Sequence, residues 1–241
     1  MEFLQDSSSD SEGTEIDTKG NKNRCRKLSV ENNGADRTDT VKRQKVLRFS
    51  PEEGLYFSRI FVPLVSSQVL QKLKDSGLEA QKEIMNSKKF PFESWKIHDC
   101  LHISLSREFV LQKHYVDSFK NLLEKELSSV ISFRISLTDE TSVLVNDSKS
   151  RSFVALNVNG GVAALKSLVD KVDSVLSRFS FPSYYDNRVF HASVASVAGD
   201  ATMTKKPGIQ ASGSILEMGV HVRKVHLGIG TIGYDFPLKD C

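Results

Sequence analysis

The stretch Leu101-His102-Ile103-Ser104-Leu105-Ser106 alternates apolar and polar residues, and Phe190-His191-Ala192-Ser193-Val194 repeats the pattern. In a strand, successive side chains point to opposite faces. Each segment therefore presents an imidazole and, two residues on, a hydroxyl on one face, while its apolar residues pack on the other. In the first segment, Ser106 is expected to share that face. Chance alone supplies about one His-x-Ser/Thr in a chain of this composition and two are present. The weight lies in the matching alternation around both copies and in their equivalent places along the chain.

Working outward from the first copy, Leu55 to Val62 (LYFSRIFV) is rich in aromatic and β-branched residues and stops at Pro63, as a strand does. Ser66 or Ser67 can cap a helix carrying Val69, Leu70 and Leu73, which Gly77 is expected to interrupt. Trp95 to Ser106 reads as the closing strand. Leu111, Tyr115, Phe119, Leu122 and Leu123 then recur at helical spacing, and two short β-rich runs follow at Ile131 to Leu137 and Ser142 to Val145.

The first order then returns. Ser152 to Val158 reads as a strand, Val162 to Leu176 as an amphipathic helix and Val189 to Val197 as a strand, with a last strand over Val220 to Ile229. Strand, helix, strand thus occurs twice, with His102 and His191 in the closing strands. This predicts two lobes sharing one cleft rather than a solenoid.

Residues 1–46 contain one aromatic, Phe3, and are dominated by polar and charged residues, which predicts a disordered charged tail ahead of a folded domain over 47–241. Its six acids before Lys19 are followed by basic clusters at Lys19 to Lys27 and Lys42 to Lys45, which can serve nuclear import or RNA binding. The net charge of +3 allows a nucleic-acid partner without requiring one. No stretch approaches the apolar length of a spanning helix, so no membrane partner is expected. Three cysteines, Cys25, Cys100 and Cys241, show no C-x-x-C spacing, which points to a reducing compartment and to Cys100 as a plain strand thiol.

Cleaving RNA through its own 2′-hydroxyl needs a base for that proton and an acid for the departing 5′-oxygen. Imidazole, with an ordinary pKa of ~6.5, suits both tasks. His102 and His191 on opposite sides of one phosphorus would supply the pair, and the Ser104 and Ser193 hydroxyls can donate to the phosphate oxygens. No metal or other cofactor is needed in principle. His98, Cys100 and His102 alternate along one strand, but three ligands so spaced are hard to gather around a tetrahedral ion. His114, His221 and His226 show no partner pattern. Tyr184 and Tyr185 sit in a proline-containing loop before His191, from which a ring could stack on a base, and Lys205 and Lys206 could meet phosphates.

The doubled H-x-S signature resembles the two-histidine phosphoesterase superfamily. LHISLSREFVLQ at Leu101 to Gln112, LVDKVDSVL at Leu168 to Leu176 and YYDNRVFHASVASVAGD at Tyr184 to Asp200 narrow the resemblance to its branch of nuclear 3′-to-5′ exonucleases that trim the uridine tail of U6 small nuclear RNA. The resemblance implies an α+β fold of two pseudo-symmetric lobes, with antiparallel sheets flanked by helices around a central groove. It implies His102 and His191 as the catalytic pair, Ser104 and Ser193 on the scissile phosphate, and Tyr185 as a base-stacking ring. It further implies a monomer acting on uridine-rich RNA 3′ ends, without metal, leaving a 2′,3′-cyclic or opened phosphate. A cyclic phosphodiesterase, an RNA ligase and a non-catalytic RNA-binding module are the alternatives. Ala195 stands where the first motif has Ser106, so a third polar group is missing there.

Overall fold

A computed structural model describes residues 54–202 and 217–240. The expected tail, and Lys205 and Lys206, lie outside the described residues. The strands are β1 (Leu55–Pro63), β2 (Lys96–Ile97), β3 (His102–Ser104), β4 (Phe109–Gln112), β5 (Phe133–Val145), β6 (Arg151–Gly160), β7 (His191–Ala198), β8 (Glu217–Val222), β9 (Lys224–Ile229) and β10 (Ile232–Pro237). The helices are α1 (Gln68–Ala80), α2 (Lys82–Met85), α3 (Val116–Leu127) and α4 (Val162–Arg178).

The strands form one sheet in the order β10-β9-β1-β3-β7-β6-β5-β8, with β4 beside β1 and β2 beside β7. All its strand pairs are antiparallel. The expected α+β architecture with antiparallel sheets holds. The two halves are continuous rather than separate, joined at a seam where β3 meets β7 through the pair Ile103 and Ala192.

Four expected element boundaries need correction. The Trp95–Ser106 strand is split into β2 and β3, because the chain bends at Asp99 and Cys100, while the His98 amide still donates to the Val194 carbonyl and the Leu101 carbonyl accepts from the Leu64 amide. Leu111 and Tyr115 precede α3: Leu111 is in β4 and Tyr115 closes a short 3-10 turn. Ile131 to Val145 yields one long strand, irregular between Leu137 and Thr141, whose mid-strand disruption imitates a loop in the sequence. The final run is two strands, and a further one, β10, follows a tight turn at Gly230.

Ser67 does cap α1, its hydroxyl accepting from the Leu70 amide. Gly77 lies inside that helix rather than breaking it. A Cβ there would sit 2.8 Å from Thr141 and 2.9 Å from Leu156, so glycine lets the helix press onto β5 and β6. Leu156 lies opposite Ala192 on the apolar face of the sheet, so α1 covers the side away from the histidines. On α4, Leu165, Leu168, Val169, Val172 and Leu176 are buried as the periodicity predicted, Val162 at its start is only partly covered, and Val175 joins the buried face. Phe109, Phe119, Phe179 and Phe181 form an aromatic cluster joining β4, α3 and the end of α4.

Candidate active site

Because Ile103 lies opposite Ala192 across the seam, one step either way along the antiparallel register sets His102 opposite Ser193 and Ser104 opposite His191. All four side chains then share the face away from buried Ile103 and Ala192. The two imidazoles occupy one diagonal of a four-residue patch and the two hydroxyls the other. Diagonal neighbours across such a pair stand about 7–8 Å apart at the backbone, room for a phosphate between the ring tips.

The pseudo-symmetry extends to how each ring is held. His191 Nδ1 lies 3.0 Å from the carbonyl oxygen of Val189, two residues back. A carbonyl only accepts, so Nδ1 carries the proton and Nε2 keeps its lone pair. His102 likewise bonds to the backbone of Cys100, two residues back. Burial pushes the His102 pKa down from 6.5 to about 4, helped by Arg59, His98 and His191, while the Cys100 bond opposes. Burial also lowers His191, against its bond to Val189. Both rings are therefore neutral near neutral pH before substrate arrives.

Ser106 does not join this patch. The chain bends at Leu105, and the buried Ser106 hydroxyl accepts from the Ile60 amide at 2.9 Å. It is a backbone anchor for β1. Ala195 is buried as well, since an irregularity between Val154 and Ala155 shifts β7 out of phase after Ser193. The missing third hydroxyl is thus no loss to the site. Cys100 is disulfide-bonded rather than a plain thiol, and it lies in the bend between β2 and β3 rather than in a strand. Among those residues no group of three or more His, Cys, Asp or Glu is gathered as a metal site.

The two tyrosines separate. Tyr184 is 6% exposed and stacks on Phe190, so it packs the loop onto the core. Tyr185 is 36% exposed, with the Arg107 guanidinium 4.2 Å over its ring and Asp147 pairing with that arginine at 3.6 Å. Arg107 lies in the LHISLSREFVLQ segment, but the sequence reading gave it no role.

Sequence reasoning also missed His226. One row of side chains crosses six strands on the histidine face: Asp235, His226, Phe61, Ser104, His191 and Asn157. Phe61 touches the His102 ring (4.9 Å between centroids) and the His226 ring (4.7 Å). His226 Nδ1 lies 2.6 Å from Asp235, which Lys224 holds from the other side at 2.7 Å. The signal was the tight hairpin at Gly230-Thr231, which pairs position 226 with 235.

The family model HVSL, described as an uncharacterised conserved protein, matches residues 23–237. The chain belongs to the HVSL family. Among relatives, this HVSL protein is 34% identical over 155 residues to "U6 snRNA phosphodiesterase 1" of Dictyostelium discoideum, covering 63% of this chain and 54% of that protein. The human protein of that name is 26% identical over 205 residues, 81% of this chain and 74% of that one. The HVSL chain therefore spans about half the length of the first relative. The solved structure of Kluyveromyces marxianus Usb1 superposes with a TM-score of 0.53 at 15% identity, covering 78% of this chain and all of that one. The same protein with uridine monophosphate gives the same score. At that identity the likeness speaks for the fold alone, which agrees with the α+β, antiparallel architecture expected from the sequence.

Proposed function

We propose that this protein is a phosphodiesterase acting as a 3′-to-5′ exoribonuclease, and that it trims the oligouridine tail of U6 small nuclear RNA in the nucleus. The observation that carries the reading is the seam itself, two H-x-S pairs arranged diagonally on one face of antiparallel neighbours. The names of the relatives supply the RNA.

In this reading one histidine, neutral, takes the proton of the penultimate 2′-hydroxyl as the 2′-oxygen attacks phosphorus. The P–O5′ bond breaks, and the other histidine, protonated, gives its proton to the departing 5′-oxygen. The products are the released terminal nucleoside and a 2′,3′-cyclic phosphate, which water can open with the roles reversed. An anionic phosphate between the rings favours the protonated form of the acid, offsetting the burial that lowers both. Ser104 and Ser193 donate to the non-bridging oxygens, where charge redistributes in the transition state. Tyr185, with Arg107 over one face, offers the other to the terminal base.

The test uses oligouridine in EDTA, with and without a 2′-deoxy penultimate sugar, and mass analysis of the products. Stepwise loss from the 3′ end that stops at the deoxy sugar and ignores EDTA is the expected result. Cutting past the deoxy sugar rejects 2′-oxygen attack, and loss of activity in EDTA rejects metal independence.

A further inference from the structure

Two facing glycines adjoin the histidine patch, with the side chains of Arg59 and Phe61 bordering one and the His226 ring lying over the other. On the site face, Gly228 lies opposite Arg59 and pairs with Gly233 in β10, so two neighbouring positions carry no side chain. Around this floor stand Arg59, Phe61 and His226. The need for glycine is steric at Gly233, where a Cβ would come within 2.5 Å of the His226 Nε2 and Cε1 atoms. The His226 ring therefore lies directly over β10, fixed in direction by Asp235.

The charges around this recess are unequal. Asp235 is matched by Lys224 and His226. Arg59 is exposed, rests its guanidinium 4.9 Å over the Phe61 ring and pairs with no carboxylate among the described residues. A guanidinium with no carboxylate partner among the described residues is a donor for an anion, and the imidazole that Asp235 holds through Nδ1 adds an Nε2–H donor in its protonated form. Phe61 joins the recess to His102 ring to ring, so the anion would sit beside the scissile phosphate, on the far side of β1 from the seam.

We propose that this glycine-floored recess is the subsite for the RNA phosphate immediately upstream of the bond being cut, with Arg59 as its main donor and His226, as the imidazolium between Asp235 and that phosphate, as the second. The inference rests on the reading of the protein as a ribonuclease that holds a strand across the seam. It gives the strand a direction, from Arg59 past the two histidines to Tyr185.

The experiment compares UpUpU with a UpUpU whose first linkage is an uncharged methylphosphonate. Both are titrated calorimetrically into full-length protein carrying His191→Ala to prevent turnover. Removing the upstream charge is expected to weaken binding about tenfold, the size of one charge-assisted hydrogen bond. Arg59→Gln in that background is expected to bring the two affinities together, His226→Gln to narrow the gap and Arg59→Lys to keep part of it. With Arg59→Gln the slope of log affinity against log salt should fall by about 0.7, one phosphate contact on a single strand. Equal affinities in the parent, or an undiminished gap in Arg59→Gln, overturn the subsite. Wild-type protein that shows the Arg59-dependent gap yet cuts no oligouridine keeps the subsite and rejects the exonuclease reading.

Discussion

Replacing His102 with Gln should flatten the dependence of folding stability on pH. In the native protein His102 titrates at about 4 because burial, Arg59, His98 and His191 disfavour its cation. In the unfolded chain it returns to the ordinary value near 6.5. The unfolded state therefore binds the extra proton first as pH falls, and stability drops through the window from 6.5 to about 4. Between about pH 7.5 and pH 5 this single group accounts for a loss of about 2 kcal/mol. Glutamine keeps a donor and lacks the titration, so His102→Gln should lose about that much less than wild type over the same interval. Urea unfolding at the two pH values measures it, with a difference near 1 M in midpoint shift expected for a urea slope of about 2 kcal/mol per molar. If both proteins lose the same stability, His102 is not held neutral by its surroundings, and the neutral resting pair described above is wrong.

Other substitutions separate chemistry from scaffold. Ser104→Ala should lower kcat by about 10²-fold or more with little change in the urea midpoint. Ser106→Ala, two residues on, should do the reverse, costing about 1–3 kcal/mol because the buried Ile60 amide loses its acceptor, with a far smaller effect on rate. A Ser106→Ala enzyme as crippled as Ser104→Ala would place Ser106 back in the site. Tyr185→Ala should weaken oligouridine binding by about 1–3 kcal/mol, read in KM, whereas Tyr184→Ala should act on thermal stability, since only Tyr184 is buried. Gly161→Ala should destabilise by about 3 kcal/mol or more, because this residue opens α4 at φ +75° with a Cβ position 2.4 Å from the Arg134 carbonyl oxygen. A melting temperature within a degree or two of wild type would contradict that strain.

The alternation around His102 and His191 was enough to assign both to strands, and the apolar stripe of α4 was legible for the same reason: each is a local period set by backbone geometry. Ser106 shows where that logic stops. Its letter fits the alternation, but the chain bends one residue earlier, and a buried amide on β1 captures the hydroxyl. Gly77 likewise reads as a breaker by propensity, yet the helix runs through it because close packing on Leu156 outweighs the local preference.

By itself, then, the sequence determined which residues could bear the chemistry and which face of each strand they would share. It could not supply the register between β3 and β7, segments nearly 90 residues apart, nor the company of Arg59, Phe61, His226 and Asp235. Those contacts depend on which strands become neighbours, a choice made by burying a common apolar face, and only the assembled sheet sets His102 diagonally across from His191.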